Sequence, residues 1–344
     1  MKHIQIVDRL KFFSHQPGHV TLIPGTYIRV KAFPTALFFT DEEGFGSEIV
    51  FSNLQGPVDP FTIEQDLERR KVLIYGEAKQ GYFRLSIAAE ESSLILRFEK
   101  TPPSGLLVGE KTFVSGDVLE IKKDVVISKE PFEERLFLGS SKKKEIDLMR
   151  RRQDLREIFP LWYLLGAITP AKEKKPFSVL EEAIANKDKK IVHELFLHTY
   201  LAHFSSGLIS RKEDEEKQGL RPLTEIADSL LQTGSSCIRS LFFQEKEDGF
   251  YILPCLIPLF VCGKMIQIKT QSGCLIDIEW TKHRLRRMCI KVEKDQTLNL
   301  HFPSDVESFR VKTSSKDRGK MLPGKGSQIV AKAGDLLWFD LFQK

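Results

Sequence analysis

Short apolar or alternating runs fill residues 1–135, and their two-residue period predicts β-strands. Turn sequences such as PG, EEG, KQG and PPSG separate the runs HVTLI, TYIRVKAF, KVLIYGEA and YFRLSIAA. The stretch KVLIYGEAKQGYFRLSIA predicts a β-hairpin with a short polar turn that ends at Gly81. Short strands at this spacing are typical of a sandwich. Residues 1–135 are therefore predicted to form an N-terminal antiparallel β-sandwich.

The hydrophobic period becomes helical between about residue 141 and residue 234. SKKKEIDLMRRRQDLREIF places Leu148, Leu155 and Phe159 on one stripe, and Pro160 is expected to end that helix at Phe159. RPLTEIADSLLQTG predicts a further helix that ends at Gly234. These patterns predict a central helical layer over residues 136–240.

Strand patterns return after about residue 241 with runs such as MIQIKT, CLIDIEW, MCIKV, TLNLHF and LLWFDLF. They predict a C-terminal antiparallel β-sandwich over residues 241–344. The predicted fold class is therefore α+β, in the order sandwich, helical layer, sandwich, and no internal repeat is visible.

Composition and charge narrow the function classes. The chain has 344 residues, 41% hydrophobic and 29% charged, with a formal net charge of +5, which is ordinary for a globular protein. No apolar run approaches the roughly 20 residues that span a bilayer, and the N-terminus lacks a signal-peptide pattern. We therefore expect a cytoplasmic protein without a membrane span. The basic run at 142–152 is interleaved with acids and that at 282–287 lies near a predicted turn, which disfavours a nucleic-acid partner.

The cysteine and histidine spacings argue against a metal or another cofactor. The five cysteines contain no Cys-x-x-Cys, which favours reduced thiols that pack as small apolar residues. His193, His198 and His203 are five residues apart, so each helical step of about 140° turns the imidazoles to different faces. No two of them can chelate zinc from one helix.

The segment GKMLPGKGS has part of a phosphate-loop pattern. Gly319, Gly324 and Lys325 fit Gly-x4-Gly-Lys, but Gly326 stands where Ser or Thr would hold magnesium. A strand rather than a helix is predicted to follow, so the segment is interpreted as a polar hairpin loop.

Asp277 and Glu279 in GCLIDIEW are candidates for a pair of catalytic carboxylates. Strand alternation places Cys274, Ile276, Ile278 and Trp280 on a buried face and both acids on the opposite, solvated face. The acids would lie about 6.6 Å apart along the strand. Glycosidase carboxylates flank the scissile bond from opposite sides, so this parallel pair is predicted to be structural.

The last third of the chain resembles the tail of bacterial α-L-fucosidase-type glycoside hydrolases, which carry a six-hairpin α/α barrel. The resemblance rests on a helix segment, an LPALP-like element and the motif around VDIEW. Its residues are Ile226, Ala227, Leu230, Leu231 and Gln232; Ile252, Leu253, Pro254, Leu256 and Pro258; and Gly273, Ile276, Asp277, Ile278, Glu279 and Trp280.

The resemblance implies a sugar-cleaving ancestor, but in that family the barrel carries the catalytic residues. About 110 residues separate the two β regions here, too few for six helical hairpins, so no catalytic residue is assigned. The leading hypothesis is a glycosidase-derived, non-catalytic protein that binds a carbohydrate or a protein partner. One alternative is a small glycoside hydrolase with a rebuilt site that uses acids such as Glu157, Glu194 or Asp228. Another is a structural or assembly subunit.

Overall fold

The computed structural model describes residues 3–41, 43–128, 132–170, 178–201, 227–314 and 316–344, with only the backbone of residues 227–230. The α+β fold class is confirmed. Helices lie between two strand-rich regions. The described neighbouring strands are antiparallel, with the exception of Gly249–Ile252 and Gln296–His301, which pair in parallel.

Two larger sheets and one two-stranded sheet, in which Leu106–Val108 pairs with Lys111–Phe113, form the described N-terminal region. The six-stranded sheet has the order β1-β6-β7-β8-β9-β12 and the four-stranded sheet the order β2-β3-β4-β5. The predicted hairpin is confirmed as β7 and β8, with Ala78 opposite Gly81. Both sheets contribute to one buried cluster that includes Val30, Phe39 and Phe98. The strands are β1 (Lys11–Ser14), β2 (His19–Leu22), β3 (Arg29–Phe33), β4 (Ala36–Thr40), β5 (Gly46–Val50), β6 (Thr62–Asp66), β7 (Lys71–Ala78), β8 (Gly81–Glu90), β9 (Ser93–Lys100), β10 (Leu106–Val108), β11 (Lys111–Phe113) and β12 (Val118–Lys122).

The helices are α1 (Ile146–Arg152), α2 (Leu155–Ile168), α3 (Ser178–Ala185), α4 (Lys189–Thr199) and α5 (Ala227–Phe242). The predicted helix end at Phe159 is wrong, because the chain breaks earlier. Gln153 adopts a left-handed conformation with φ 51°, and the Asp154 side chain caps α2 by accepting the Arg156 N–H at 3.1 Å. Pro160 lies inside α2, whose surroundings bury most of its residues, so tertiary packing outweighs the lost backbone hydrogen bond.

Close packing of α2 against α5 explains why the predicted helix end at Gly234 is also wrong. A Cβ atom at Gly234 would overlap the Trp162 ring, and one at Gly166 would overlap the backbone of Leu231. The Trp162 indole N–H donates to the Leu231 carbonyl at 3.0 Å. Gly234 therefore allows two helices to approach within the helical layer instead of ending one of them.

The C-terminal region also contains two sheets, of order β13-β16-β17-β18-β23-β20-β21 and β14-β15-β19-β22. Strand β13 precedes the helices in sequence but pairs with β16, with Leu136 opposite Met265. The strands are β13 (Arg135–Phe137), β14 (Phe243–Lys246), β15 (Gly249–Ile252), β16 (Cys262–Lys269), β17 (Cys274–Thr281), β18 (Arg284–Val292), β19 (Gln296–His301), β20 (Ser308–Lys312), β21 (Lys320–Pro323), β22 (Gln328–Ala331) and β23 (Leu336–Gln343). The helices and these strands share one hydrophobic cluster that includes Phe196, Phe242 and Ile290.

Candidate functional site

The GCLIDIEW stretch forms β17, and its predicted buried face is confirmed. Cys274, Ile276, Ile278 and Trp280 are each at most 1% exposed. The Trp280 indole stacks on Phe242 with ring centroids 5.2 Å apart, and its N–H donates to the Phe260 carbonyl at 3.0 Å. This face of β17 therefore belongs to the core.

The opposite face is less solvated than predicted. Glu279 is only 7% exposed and its carboxylate binds the Arg287 guanidinium on β18, next to a register shift in the β17–β18 pairing. Asp277 is partly buried and accepts the Gln267 N–H at 2.8 Å, where β16 bulges. Burial raises the pKa of the Asp277 carboxyl. The prediction that this face is solvated is wrong for Glu279. Both acids contact residues of the neighbouring strands, Arg287 for Glu279 and Gln267 for Asp277.

Of the three acids named for a rebuilt hydrolase site, the structure describes the side chains of Glu157 and Glu194. Glu157 is 1% exposed, and its carboxylate binds Arg152 at 2.5 Å and Lys142 at 3.2 Å. Glu194 is exposed on α4. The Asp228 side chain lies outside the described residues. Glu157 is thus a buried anion held by two cations, and its position resembles that of a structural ion pair.

The histidines of α4 do not converge on a metal. His193 is partly buried and His198 is exposed, while His203 lies outside the described residues. In the described part of the chain, no group of three or more His, Cys, Asp or Glu side chains could hold a metal ion. Four of the five cysteines are buried and Cys262 is exposed.

The candidate site is a groove of about 740 Å³ at one end of the C-terminal sheets. Its volume lies within the roughly 300–1,000 Å³ of small-molecule pockets. Five chain segments meet there: the α3–α4 turn, the loop after β15, the β17–β18 turn, the end of β19 and the β21–β22 connection. The lining residues are Lys187, Lys189, Tyr251, Ile252, Leu253, Pro254, Leu256, Pro258, His283, Leu300, His301, Phe302, Pro303, Ser304, Asp305, Gly324, Lys325 and Gly326.

Local contacts fix the walls of this groove. His283 sits with φ 60° in the turn between β17 and β18, and its Nε2 lies 2.7 Å from the Pro258 carbonyl. On the other side, the Gly324 N–H donates to the Glu307 carbonyl at 2.6 Å. A Cβ atom at Gly324 would overlap the Val306 carbonyl, so this close approach requires glycine.

The charge of the groove is positive. Lys187, Lys189 and Lys325 are exposed and have no carboxylate within 4.0 Å in the described part of the chain. Among the described lining residues the single carboxylate is Asp305, whose Oδ2 lies 3.3 Å from the Lys344 Nζ. Three cations with no paired anion among the described residues, above an apolar floor of leucine, proline and phenylalanine, favour an anionic ligand with apolar faces.

A stacked ring pair forms part of the groove wall. The Tyr251 and His301 rings lie parallel with centroids 4.3 Å apart and an interplanar angle of 12°. Asp248 holds both, because the Tyr251 hydroxyl donates to its carboxylate at 2.5 Å and the His301 Nε2 lies 3.6 Å from Oδ2. The hydrogen bond from Tyr251 lowers the pKa of the Asp248 carboxyl. The ring pair therefore contributes to the same groove lining as Lys187, Lys189 and Lys325.

Several groove residues belong to two motifs of the sequence, the partial phosphate-loop pattern and the LPALP-like element. Gly324 and Lys325 lie in the segment with part of a phosphate-loop pattern, and this segment connects β21 to β22. These strands pair with β20 and β19 respectively, not with each other, so the predicted hairpin is wrong. The strand that follows confirms that the segment is not a phosphate loop. The LPALP-like element supplies Leu253, Pro254 and Leu256. Its prolines are the sequence feature from which this part of the groove could have been predicted.

None of the described helices combines the length and apolar character needed to cross a membrane. A scan against protein-family models and a search of curated proteins found no match for this chain.

Proposed function

We propose that this protein is a non-catalytic binding protein whose C-terminal groove holds an acidic carbohydrate. The observation that carries the proposal is that Lys187, Lys189 and Lys325, which have no ion-pair partner among the described residues, line one groove with an apolar floor. A sugar acid or sulfated sugar presents an anion and apolar C–H faces on the same small molecule. The tail resemblance to glycoside hydrolases supports the choice of a carbohydrate.

The groove chemistry favours binding over hydrolysis. General acid and base catalysis on a glycoside needs two carboxyl groups on opposite sides of the bond. The described groove lining contains one carboxylate, Asp305, which is neutralised by Lys344. The pure protein should therefore bind acidic oligosaccharides and leave aryl glycosides intact.

Calorimetric titration of acidic and neutral oligosaccharides tests this proposal. Each exposed lysine contributes about 0.2–1 kcal/mol to an ionic contact. A triple Lys187→Ala, Lys189→Ala, Lys325→Ala variant should therefore bind roughly tenfold more weakly. Affinity should also fall as salt rises, since these lysines are exposed. Lys123→Ala is the matched control, because this exposed lysine lies after β12 and outside the groove.

Three results would overturn the proposal. Neutral and acidic sugars could bind equally, or an acidic peptide could bind while every oligosaccharide fails, which would favour the assembly role. Turnover of an aryl glycoside that a point mutation abolishes would establish the hydrolase alternative.

A further inference from the structure

A second pocket, of about 450 Å³, lies where the N-terminal six-stranded sheet meets the segment that leads into α1. Five cationic side chains and one carboxylate line it: Arg9, Lys11, Lys142, Lys143, Lys144 and Glu64. The lysine run 142–144 precedes the helix that its sequence pattern predicted it to begin. α1 begins at Ile146, and the Phe13 N–H donates to the Lys144 carbonyl at 3.1 Å, which holds the run beside β1.

Four of the five cations already have an anionic partner. Arg9 binds Asp66 at 2.6 Å, Lys11 binds Glu64 at 2.9 Å, Lys142 binds Glu157 at 3.2 Å and Lys143 lies 3.7 Å from Glu145. These contacts hold the four cations around the cavity and offset part of their charge, although Glu157 is shared with Arg152.

Lys144 is the exception. It is partly buried, and in the described part of the chain no carboxylate lies within 4.0 Å of its amine. Burial lowers the pKa of this amine, against weaker opposite effects of Asp8, Glu157 and Glu68. Removing an ammonium group from water without a close anion costs free energy, and a ligand that supplies the anion recovers that cost.

We propose that this pocket binds the phosphoryl group of a small phosphate ester, with the Lys144 ammonium as its main hydrogen-bond donor. A phosphoryl group offers three acceptor oxygens and a double negative charge. The neighbouring Lys142 and Lys143 are 51% and 62% exposed, so their side chains can turn toward it. Phe13 and Tyr75 supply an apolar wall for the carbon skeleton of the ester.

The geometry favours a small ester over a nucleic acid. A nucleic-acid surface needs a continuous basic stripe, whereas here four of the five cations contact carboxylates, and Lys144 is the one lining cation without such a contact among the described residues. The site is separate from the C-terminal groove and shares no lining residue with it, so either proposal can fail without the other.

Competitive acylation of the full-length protein tests the assignment. The chain is treated with a limiting amine-acylating reagent, and the modified lysines are quantified by peptide mass spectrometry. Glycerol 3-phosphate and inorganic phosphate are the probes, at matched ionic strength. Glycerol 3-phosphate should slow modification of Lys144 about tenfold and leave the exposed Lys123 unchanged.

Titration of variants with the same ester gives an independent measurement. Lys144→Gln should weaken binding by about tenfold to a hundredfold, as expected for the loss of a charged hydrogen bond. Lys144→Arg should keep most of the affinity, and the control Lys123→Gln should keep all of it. If Lys144→Gln fails to fold, the acylation experiment on the wild-type protein still tests whether the ester binds at Lys144.

Absence of protection by the ester would overturn the proposal, as would equal protection of Lys144 and Lys123. Protection by inorganic phosphate alone would overturn the assignment of an ester. Protection by a single-stranded oligonucleotide but by neither small probe would show that a nucleic acid is the ligand instead.

Discussion

Replacing Trp280 with alanine tests whether GCLIDIEW is a core strand. The side chain is 1% exposed, stacks on Phe242 and donates its indole N–H to the Phe260 carbonyl. Truncation of a buried Trp costs about 3–5 kcal/mol. The value should lie near the upper end, because the Phe260 carbonyl also loses its donor. For a cooperative unit of this size, the melting temperature should fall by roughly 2–4 °C for each kcal/mol.

Tryptophan fluorescence in a urea titration measures this loss in the right part of the molecule. All three tryptophans, Trp162, Trp280 and Trp338, lie outside residues 1–135, so the signal reports the helices and the C-terminal sheets. Trp280→Phe is the matched variant, because it keeps a ring against Phe242 and removes only the indole donor. It should cost about 1–3 kcal/mol. A Trp280→Ala protein that unfolds at the wild-type urea concentration would refute the core assignment.

Three further predictions concern the same half of the chain. Gly234→Ala should lower the free energy of unfolding by about 1–3 kcal/mol in urea titrations, because overlap with Trp162 outweighs the better helix propensity of alanine; a gain in stability would contradict the close helix approach. Asp277→Asn should leave stability at pH 7 equal to or above wild type. Burial raises the pKa of Asp277, so folded wild-type protein loses stability as pH rises from 3.8 through the folded value. The difference in stability between Asp277→Asn and wild type should vanish in urea titrations near pH 4. A large loss of stability in the variant at pH 7 would contradict this prediction. A thiol reagent should modify Cys262 first in the native protein, because the other four cysteines are buried and burial raises the pKa of Cys237 to about 12; rapid reaction of all five thiols would argue against this core.

The order of strands, helices and strands could be predicted from hydrophobic period, because each region keeps one period over many residues. The buried face of β17 followed from alternation alone. The helix ends could not be predicted, since tertiary contacts decide them. Pro160 is tolerated within a buried helix, and Gly234 permits the contact with Trp162 instead of ending a helix.

The candidate groove could be predicted only in fragments. Pro254, His283 and Lys325 are far apart in the sequence, and only the sheet topology and two tight turns bring them to one cavity. The environment of Glu279 was missed for a related reason, since the register shift that places Arg287 beside it depends on the pairing of β17 with β18. The sequence pattern identifies faces of single strands, whereas the site is built from the loops between them.

Titration of the protein with an acidic oligosaccharide and its carboxyl-reduced, neutral counterpart tests the central claim most directly. The two ligands share their rings and linkages and differ only in charge, so the comparison isolates the contribution of Lys187, Lys189 and Lys325. The groove account predicts at least roughly tenfold tighter binding of the acidic sugar, with that preference lost in the triple lysine variant. Equal affinities for the two sugars, or a preference that survives removal of the three lysines, would contradict it.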